Sequence, residues 1–276
     1  MRASIITPTY NSVDWIAACV ANVQAQGDAV CEHIVVDGGS TDGTVERIAQ
    51  LLTKRPHLRF IPGPDRGQSD ALNKGVAAAS GEVIGVLNVD DTYQPDAVRR
   101  ACQHLSTIRG PAFVVGICKI ISPEETKWNR PKDLRLEALL LGYDYAQWPN
   151  NPAAYFYHRS VHEVIGSYDV EDHYTMDLDF IFRCASHVQM RYFNEYWGNF
   201  QLHVGCKTFD DTEGPIRQLA ILKRFRGELG PRQKLRMVWI GAVRKLVVGA
   251  KRSFKHSSLA RALKARLEDR GLVDAC

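Results

Sequence analysis

The sequence predicts an α/β protein with a mainly parallel central sheet, helices on both faces of that sheet, and a basic helical extension at its C-terminal end. The first observation behind this is that short β-branched runs alternate with segments of helical period in the first half. Strands and helices in this order need right-handed crossovers, which make neighbouring strands parallel. The second observation is the charge, because residues 1–214 carry a net −8 and residues 215–276 carry +12. We therefore predict a domain over 1–214, with halves 1–110 and 111–214, followed by an extension over 215–276.

Four strands of the first half are predicted from apolar runs that are continuous rather than alternating, a pattern typical of strands buried on both faces. They cover residues 3–7, 31–36, 58–61 and 82–87. Between the second and third strands, the apolar residues Val45, Ile48, Ala49 and Leu52 follow helical spacing after a Ser-Thr-Asp sequence that can cap a helix. A further helix is predicted over 95–105.

The second half of the domain is less regular. A strand is predicted over 112–120. Later strands are placed at 153–157, 189–194 and 197–203, with helices near 160–165 and 177–186. From residue 215 onward the sequence is helical and basic.

Composition restricts the class of protein. With 45% apolar and 24% charged residues, the chain is expected to fold as an ordinary soluble domain. Its seven cysteines have no CxxC spacing, which predicts reduced thiols in a cytoplasmic protein. We expect no signal peptide, because the first residues lead directly into a strand. The longest apolar runs are shorter than the roughly 20 residues that a membrane-spanning helix needs.

Polar clusters follow each of the four predicted strands, beginning at residues 7, 37, 63 and 88. Each cluster alone is typical of a turn between a strand and a helix, with an acidic residue capping the helix. Ligands of parallel sheets bind beyond the carboxyl ends of the strands. Four clusters at one edge of the sheet therefore favour a binding site there.

The cluster Asn88-Val89-Asp90-Asp91 places two acids at the end of an apolar strand. Mg²⁺ and Mn²⁺ bind one or two carboxylates and complete their coordination with substrate phosphates. A cation held in this way neutralises a leaving diphosphate. The alternative is a solvated turn that caps the helix over 95–105.

The motifs of the first hundred residues resemble the opening of family 2 inverting glycosyltransferases. In chain order they are SIITPTYN from residue 4, IVVDGGSTDGT from 34, DRGQSDALNKG from 65, SGE from 80 and LNVDD from 87. The resemblance implies a GT-A, Rossmann-like fold, a nucleotide-sugar donor and a divalent cation, Mn²⁺ or Mg²⁺. It also implies that the half over 1–110 binds the donor and the half over 111–214 the acceptor.

The resemblance implies roles for several residues of the donor half. Asp37 matches the acid that contacts the nucleobase, usually uracil. Asp90 matches the metal-binding acid of the DxD motif. The other positions that match nucleotide-sugar contacts are Thr7, Pro8, Tyr10, Asn88 and Val89.

Three positions of the donor half depart from the family pattern. Asn88 stands in place of the first acid of the DxD motif, and it can hydrogen-bond a sugar or ribose hydroxyl. Gly38 replaces a frequent second acid. Leu72 stands where many members carry arginine, so contact with the diphosphate is expected from Lys74 or Arg66.

The segment over 172–180 resembles the part of the family that carries the catalytic base, and Asp177 aligns best with that base. Met176 replaces the acid that usually precedes it. One carboxylate beside the acceptor hydroxyl is what this chemistry requires. The alternative is that Asp177 caps the helix that follows it. Asp179 ranks second as a residue of the acceptor side.

Further residues of the second half are assigned through the same resemblance. The segments over 151–160 and 165–169 resemble a part of the family that lines the acceptor side. Trp148 and Tyr155 can stack on a sugar ring or, alternatively, belong to the core. Asp91 is placed on the acceptor side as well. His203 matches a histidine that reaches the metal or the diphosphate, and Lys207 beside it supports that assignment.

The basic extension contains an amphipathic pattern over 232–252. Its apolar face is formed by Leu235, Val238, Trp239, Ala242, Leu246 and Gly249. Basic amphipathic helices with tryptophan bind anionic membrane surfaces. The alternative is a helix packed on the domain with its charges in solvent. Nucleic acid is not expected as a partner, because no basic motif with interleaved aromatic residues is present.

Together these patterns predict a metal-dependent inverting glycosyltransferase. We expect it to move a sugar, from a UDP-sugar by preference, to a hydroxyl of a glycan or lipid-linked glycan in cell-surface polysaccharide synthesis, at the inner face of the plasma membrane. One alternative is a catalytically weak binding protein of the membrane surface, which the departures at Asn88 and Met176 keep open. Another is a nucleotidyltransferase, although no glycine-rich basic signature lies near residue 10. A dehydrogenase is disfavoured because no GxGxxG follows the first strand.

Overall fold

The computed structural model of the chain describes residues 1–149, 151–207 and 213–255, and for 247–255 it describes the backbone. The chain divides into two compact units, Met1–Glu228 and Leu229–Cys276. Within the described part of the chain, no helix has the length and apolar character that crossing a membrane requires.

The first unit is built on a nine-stranded sheet. Its strands are β1 Ala3–Thr9, β2 Val30–Asp37, β3 Leu58–Ile61, β4 Val83–Val86, β5 Thr92–Tyr93, β6 Ala112–Ile121, β7 Thr126–Asn129, β8 Tyr155–His158 and β9 Gln189–Gln201. Their order is β3-β2-β1-β4-β8-β6-β9-β5, with β7 paired to β6. The first four strands are parallel to one another, and β8 is antiparallel to both β4 and β6.

Helices connect these strands. In the first unit they are α1 Ile16–Gln24, α2 Thr44–Leu52, α3 Gln68–Ala78, α4 Ala97–Ser106, α5 Leu136–Leu139, α6 Val161–Ile165, α7 Met176–His187 and α8 Gly214–Glu228. The second unit contains α9 Pro231–Lys255. The predicted extension over 215–276 therefore covers α8, which lies in the first unit, and α9. Its residues from 256 onward are outside the described part of the chain.

The core covers both faces of β1. Ile5 belongs to a buried cluster that includes side chains of α1 and α4. Ile6 points to the opposite face, where its side chain lies against Gly75 of α3. Because successive side chains of a strand alternate between faces, a strand covered on both sides needs a continuous apolar run. The predicted α/β fold and the four strands of the first half are confirmed.

The second half differs from the prediction in its strands. Residues 189–194 and 197–203 were predicted as two strands, and the structure has one strand, β9, that spans Gln189–Gln201. Its pairing with β6 shifts register twice near Ile117, which bends the strand without ending it. The short strands β5 and β7 were not predicted, because β5 has only two residues and β7 is mostly polar and exposed.

Close packing in β9 leads to a prediction about stability. A Cβ atom added to Gly198 would lie 2.0 Å from the backbone oxygen of Ala153, so either β9 or the turn at Ala153 would have to move. Overpacking of this kind costs about 1–3 kcal/mol and sometimes more. We expect Gly198→Ala to lower the Tm by about 5 °C or more, because each kcal/mol corresponds to about 2–4 °C at this chain length.

The matched control is Gly227→Ala in α8, where an added Cβ would meet no atom within 4 Å. Alanine is the better helix former, so this variant should keep or slightly raise the Tm. Thermal unfolding followed by circular dichroism measures both. Equal midpoints for Gly198→Ala and wild type would contradict the packing of β9 described here.

Candidate active site

A cleft of about 1,090 Å³ opens at the carboxyl ends of the parallel strands β1, β2 and β4. Residues after each of these strands line it, as the four polar clusters predicted. Its lining includes Pro8, Thr9, Tyr10, Gly38, Asp65, Gln68, Asn88, Val89, Asp90, Trp148, His173, Tyr174, Asp177 and Lys207. The cleft therefore brings residues of the donor half together with residues of the acceptor half.

The turns after β1 and β2 hold each other in place. Asn11 adopts a left-handed backbone with φ of 48°. Its N–H donates to Oγ of Ser40 at 2.8 Å, and its side-chain oxygen accepts from the N–H of Thr41 at 2.9 Å. Asp37 is buried, and its carboxylate accepts from the N–H groups of Gly39 and Ser40, each at 2.9 Å. Asp37 thus fixes the second turn, and Gly38 beside it faces the cleft.

The structure separates the two threonines of the first motif. Thr7 is fully buried, and its hydroxyl lies 2.9 Å from Nε2 of His33, away from the residues that line the cleft. Thr9 lines the cleft, and its buried hydroxyl oxygen has no hydrogen-bond partner among the described residues. Buried polar groups are normally paired, so this hydroxyl suits a ligand in the cleft. Tyr10 is 63% exposed at the rim.

Asp90 lines the cleft and contacts His203, which is not itself among the lining residues. Nε2 of His203 lies 3.1 Å from Oδ2 of Asp90, and its ring stacks on Trp15 with centroids 5.2 Å apart. No group of three His, Cys, Asp or Glu side chains among the described residues is arranged to hold a metal ion. A carboxylate and an imidazole nevertheless fit a divalent cation whose other ligands are diphosphate oxygens and water.

The neighbours of Asp90 are held by hydrogen bonds. Asn88 accepts from Nε2 of Gln68 at 3.1 Å and donates to Asp91 at 3.2 Å. Asp91 is 1% exposed and accepts from the N–H of Gln201 at 3.0 Å. Burial, together with the charge of Asp90, raises the pKa of Asp91 well above its usual range. Asp91 therefore ties β9 to the end of β4 and is not a solvated residue of a turn.

Arg66 and Lys74 are not among the residues that line the cleft. The side chain of Arg66 is 67% exposed and lies 3.7 Å from Glu171. Lys74 pairs with Asp70 at 3.1 Å and donates to the backbone oxygen of Pro64. Their predicted contact with a diphosphate stays a prediction, and Lys207 is a cation that does line the cleft.

Asp177 lies in the first turn of α7 and faces the cleft. Burial raises the pKa of its carboxyl to about 6, with the charge of Asp172 adding to the rise and that of Lys207 opposing it. The helix begins at Met176 and its N-cap residue is Thr175, so Asp177 lies inside the first turn and is not the capping residue. The turn before the helix is held by Asp172 instead, whose carboxylate accepts from the N–H groups of Tyr174 and Thr175.

The ring of Tyr174, which also lines the cleft, contacts two cations. Nζ of Lys207 lies 4.8 Å from the centroid of its ring, and the guanidinium carbon of Arg217 lies 4.0 Å from it. Cation–π contacts of this kind stabilise the ring in place. The loop that carries Lys207 is therefore fastened to the loop that precedes the candidate base.

The other acceptor-side candidates divide into two groups. Trp148 lines the cleft, with its indole N–H donating to the backbone oxygen of Leu139 at 3.0 Å. Tyr155 is 1% exposed within the aromatic core. Asp179 is buried and forms ion pairs with Arg183 and Arg224, which fasten α7 to α8. The structure thus places Tyr155 and Asp179 in packing and pairing roles rather than in the cleft.

Four of the cleft residues with polar or aromatic side chains that were not assigned a role from the sequence lie inside its motifs. They are Thr9, Gln68, His173 and Tyr174. All four lie inside motifs that the sequence analysis identified, but the sequence did not indicate a role for any of them. His173 also packs against Gly67, whose φ of +102° and lack of Cβ leave room for the imidazole.

The chain matches known proteins in sequence. The family model described as glycosyl transferase family 2 matches residues 4–166. An uncharacterized glycosyltransferase of Mycobacterium tuberculosis is 33% identical over 188 residues, which cover 66% of this chain and 68% of the relative. A PGL/p-HBAD biosynthesis glycosyltransferase of Mycobacterium bovis is 30% identical over 207 residues, covering 71% and 77%.

Solved structures resemble the fold. S. aureus TarS 1–349 superposes with a TM-score of 0.62 at 16% identity, covering 94% of this chain and 75% of that one. The mannosyltransferase PcManGT from Pyrobaculum calidifontis, in complex with GDP-Man and Mn²⁺, gives 0.60 at 19%, covering 99% and 81%. The chain spans 61% of the TarS chain bound to UDP-GlcNAc and 37% of another TarS chain. At these identities the likeness shows the fold, and the predicted GT-A fold is confirmed.

Proposed function

Because the chain belongs to glycosyl transferase family 2, we propose that it moves a sugar from a UDP-sugar to a hydroxyl of a glycan or lipid-linked glycan, with inversion at the anomeric carbon and with Mn²⁺ or Mg²⁺. The observation that carries this proposal is one half-buried carboxylate, Asp177, that lines the same cleft as Asp90, whose side chain contacts His203. A base and a site for the leaving group are the two elements that a single displacement needs.

On the donor side, the turns after β1 and β2 receive the nucleoside. The exposed ring of Tyr10 offers a face for the base, and the unpaired hydroxyl of Thr9 offers a hydrogen bond. Asp90 and His203 would hold a divalent cation, which would neutralise charge on the diphosphate. Support for a UDP-sugar comes from TarS, which was crystallised with UDP and with UDP-GlcNAc.

On the acceptor side, Asp177 in its ionised form accepts the proton of the attacking hydroxyl. The hydroxyl oxygen forms a bond to the anomeric carbon while the bond from that carbon to the diphosphate oxygen breaks. The electron pair of the broken bond leaves with the nucleoside diphosphate. No covalent sugar–enzyme intermediate is needed, so one displacement inverts the configuration.

We place the reaction in cell-surface glycan synthesis at the inner face of the plasma membrane. Two observations support this: a relative is named for PGL/p-HBAD biosynthesis, and the chain ends in a strongly basic segment. The lining of the cleft also includes the apolar side chains of Ile120, Phe200 and Leu202, which suit an acceptor that is partly apolar.

The test is thermal unfolding of the purified chain with a panel of UDP- and GDP-sugars, each with and without Mn²⁺ or Mg²⁺. A ligand present at a hundredfold excess over its Kd stabilises the folded state by about 2.7 kcal/mol. We expect one UDP-sugar to raise the Tm by about 5–10 °C in the presence of metal, given about 2–4 °C for each kcal/mol.

Two results would contradict this proposal. Stabilisation by a GDP-sugar alone would exclude the assigned nucleotide. No stabilisation by any nucleotide sugar, from a protein with a cooperative unfolding transition, would favour the catalytically weak binding protein.

A further inference from the structure

Helix α9 has two apolar sides that differ in burial. Ile240 is 3% exposed. Leu235, Val238, Trp239 and Leu246 are 73%, 64%, 62% and 73% exposed. The spacing of these four residues places them along one side of the helix, because residues three, four, seven and eleven apart are neighbours on an α-helix. Ile240 is rotated well away from that side. The burial of Ile240 therefore leaves a continuous apolar stripe in solvent.

This stripe, formed by Leu235, Val238, Trp239 and Leu246, is unusual for a surface. Single exposed apolar residues are common, whereas a contiguous apolar patch marks a site of interaction. Ala242 lies within the stripe and is exposed as well, so no polar side chain interrupts it. Leu235 and Leu246 lie at the two ends of the stripe and Trp239 lies between them, so a single apolar partner could bury all three side chains.

Basic residues flank the stripe on both sides. On a helical projection Lys234 and Lys245 fall beside Val238, and Arg232 falls beside Trp239 on the other edge. All three are exposed. The helix contains eight Lys and Arg residues and no Asp or Glu. An apolar stripe bordered by cations on both edges complements a surface that is apolar inside and anionic at its boundary.

We propose that α9 lies flat in the surface of an anionic phospholipid bilayer, with the stripe inserted among the acyl chains and the flanking cations at the headgroups. Long basic side chains can extend from an inserted stripe to the phosphate level. Tryptophan suits the boundary, since its ring is apolar and its N–H is polar. Attraction to anionic lipid and burial of apolar area then act together.

Other occupants fit the stripe less well. A second copy of α9 would bring two strongly cationic helices together without any acidic residue between them. Nucleic acid would pair with the flanking cations and leave the four apolar side chains in water. This proposal rests on the membrane location proposed above. It can be tested independently of glycosyl transfer, because lipid binding and donor binding are measured separately.

The test is flotation of the full chain with vesicles of phosphatidylcholine alone or with 30% phosphatidylglycerol. We expect binding to the anionic vesicles, at least tenfold weaker binding to the neutral ones, and a decrease between 0.1 and 0.5 M salt. The variant Leu235→Ala/Leu246→Ala should bind at least tenfold more weakly. Both side chains are exposed in the wild type, so the fold should be unaffected, and thermal unfolding with and without the donor checks this.

The matched control is Ile216→Ala/Leu219→Ala on α8, where the side chains are 71% and 56% exposed. This control should bind vesicles as the wild type does. A second readout is tryptophan emission, which should shift to shorter wavelength on vesicle binding in the wild type and much less in Trp239→Phe.

Four results would overturn the proposal. They are equal binding to neutral and anionic vesicles, unchanged binding by the stripe variant, an equal loss in the α8 control, and dimers in sedimentation that the stripe variant dissociates. Loss of vesicle binding with normal stabilisation by the donor would leave the proposed glycosyl transfer intact. Loss of donor stabilisation in the wild type would affect that proposal alone.

Discussion

Replacing Asp177 by asparagine is expected to lower kcat by about 10²–10⁴-fold, the range that a positioned general base contributes. Asparagine keeps the size of the side chain but cannot accept the proton of the acceptor hydroxyl. Donor binding should be unchanged, because Asp90 and His203 form the candidate site for the diphosphate and its cation. Steady-state kinetics with donor and acceptor measure the loss, and the thermal shift by the donor measures the retained binding.

The pH profile of the wild type gives a second readout. Burial raises the pKa of Asp177 to about 6, and the base works only in its ionised form. Turnover should therefore be low at pH 5, rise through about pH 6 and level off near pH 7. Removing the positive charge of Lys207, as in Lys207→Met, should move this rise to higher pH, because its ammonium favours the ionised carboxylate.

The control is Glu171→Gln, which removes an acid from the same loop. The side chain of Glu171 is 84% exposed, and the residue is not among those that line the cleft. This variant should keep turnover near the wild-type value. Near-full turnover by Asp177→Asn, or an acidic limb that persists unchanged in that variant, would show that another group accepts the proton.

The parallel half of the fold could be predicted because each strand is marked by an apolar run within its own sequence. Strands β1, β2 and β4 are buried on both faces, so each contains an apolar run that a short sequence window detects. The second half mixes parallel and antiparallel pairs, and β9 is bent where its register with β6 shifts. The residues at such a bend lose their alternation, which made one long strand look like two.

The sequence identified the motifs that form the site, but it did not show which residue within each motif reaches the cleft. Thr7 and Thr9 lie on the same face of β1, and only the end of the strand decides which hydroxyl reaches the cleft. Asp177 and Asp179 are two residues apart on α7, so they point in different directions on the helix. The sequence cannot tell that Asp179 meets Arg224, because that arginine comes from a helix 45 residues later.

Replacing Asp90 by asparagine is expected to remove the metal-dependent part of donor binding. The carboxylate is the charged oxygen ligand in the candidate pair with His203, and hard divalent cations depend on such charge. Losing even an outer partner of a metal site costs about 10–100-fold in affinity, so we expect at least about 100-fold for the ligand itself. At a donor and metal concentration that stabilises the wild type by about 2.7 kcal/mol, the variant would then gain about 0.4 kcal/mol.

The neighbouring acid provides the control for this change. Asp91 is buried, and its two carboxylate oxygens accept hydrogen bonds from Gln201 and Asn88. Asp91→Asn keeps the size of this side chain and one acceptor oxygen, and it leaves Asp90 and His203 unchanged. That variant should keep the metal-dependent shift in Tm, while Asp90→Asn loses it and His203→Ala loses part of it. The same shift from Asp90→Asn as from the wild type would mean that the cation is held elsewhere, or that the diphosphate is bound by Lys207 without one. If Asp91→Asn lost as much of the metal-dependent shift in Tm as Asp90→Asn, the cause would be disturbed packing at the end of β4. The contrast between these two adjacent acids therefore decides whether the site holds a cation.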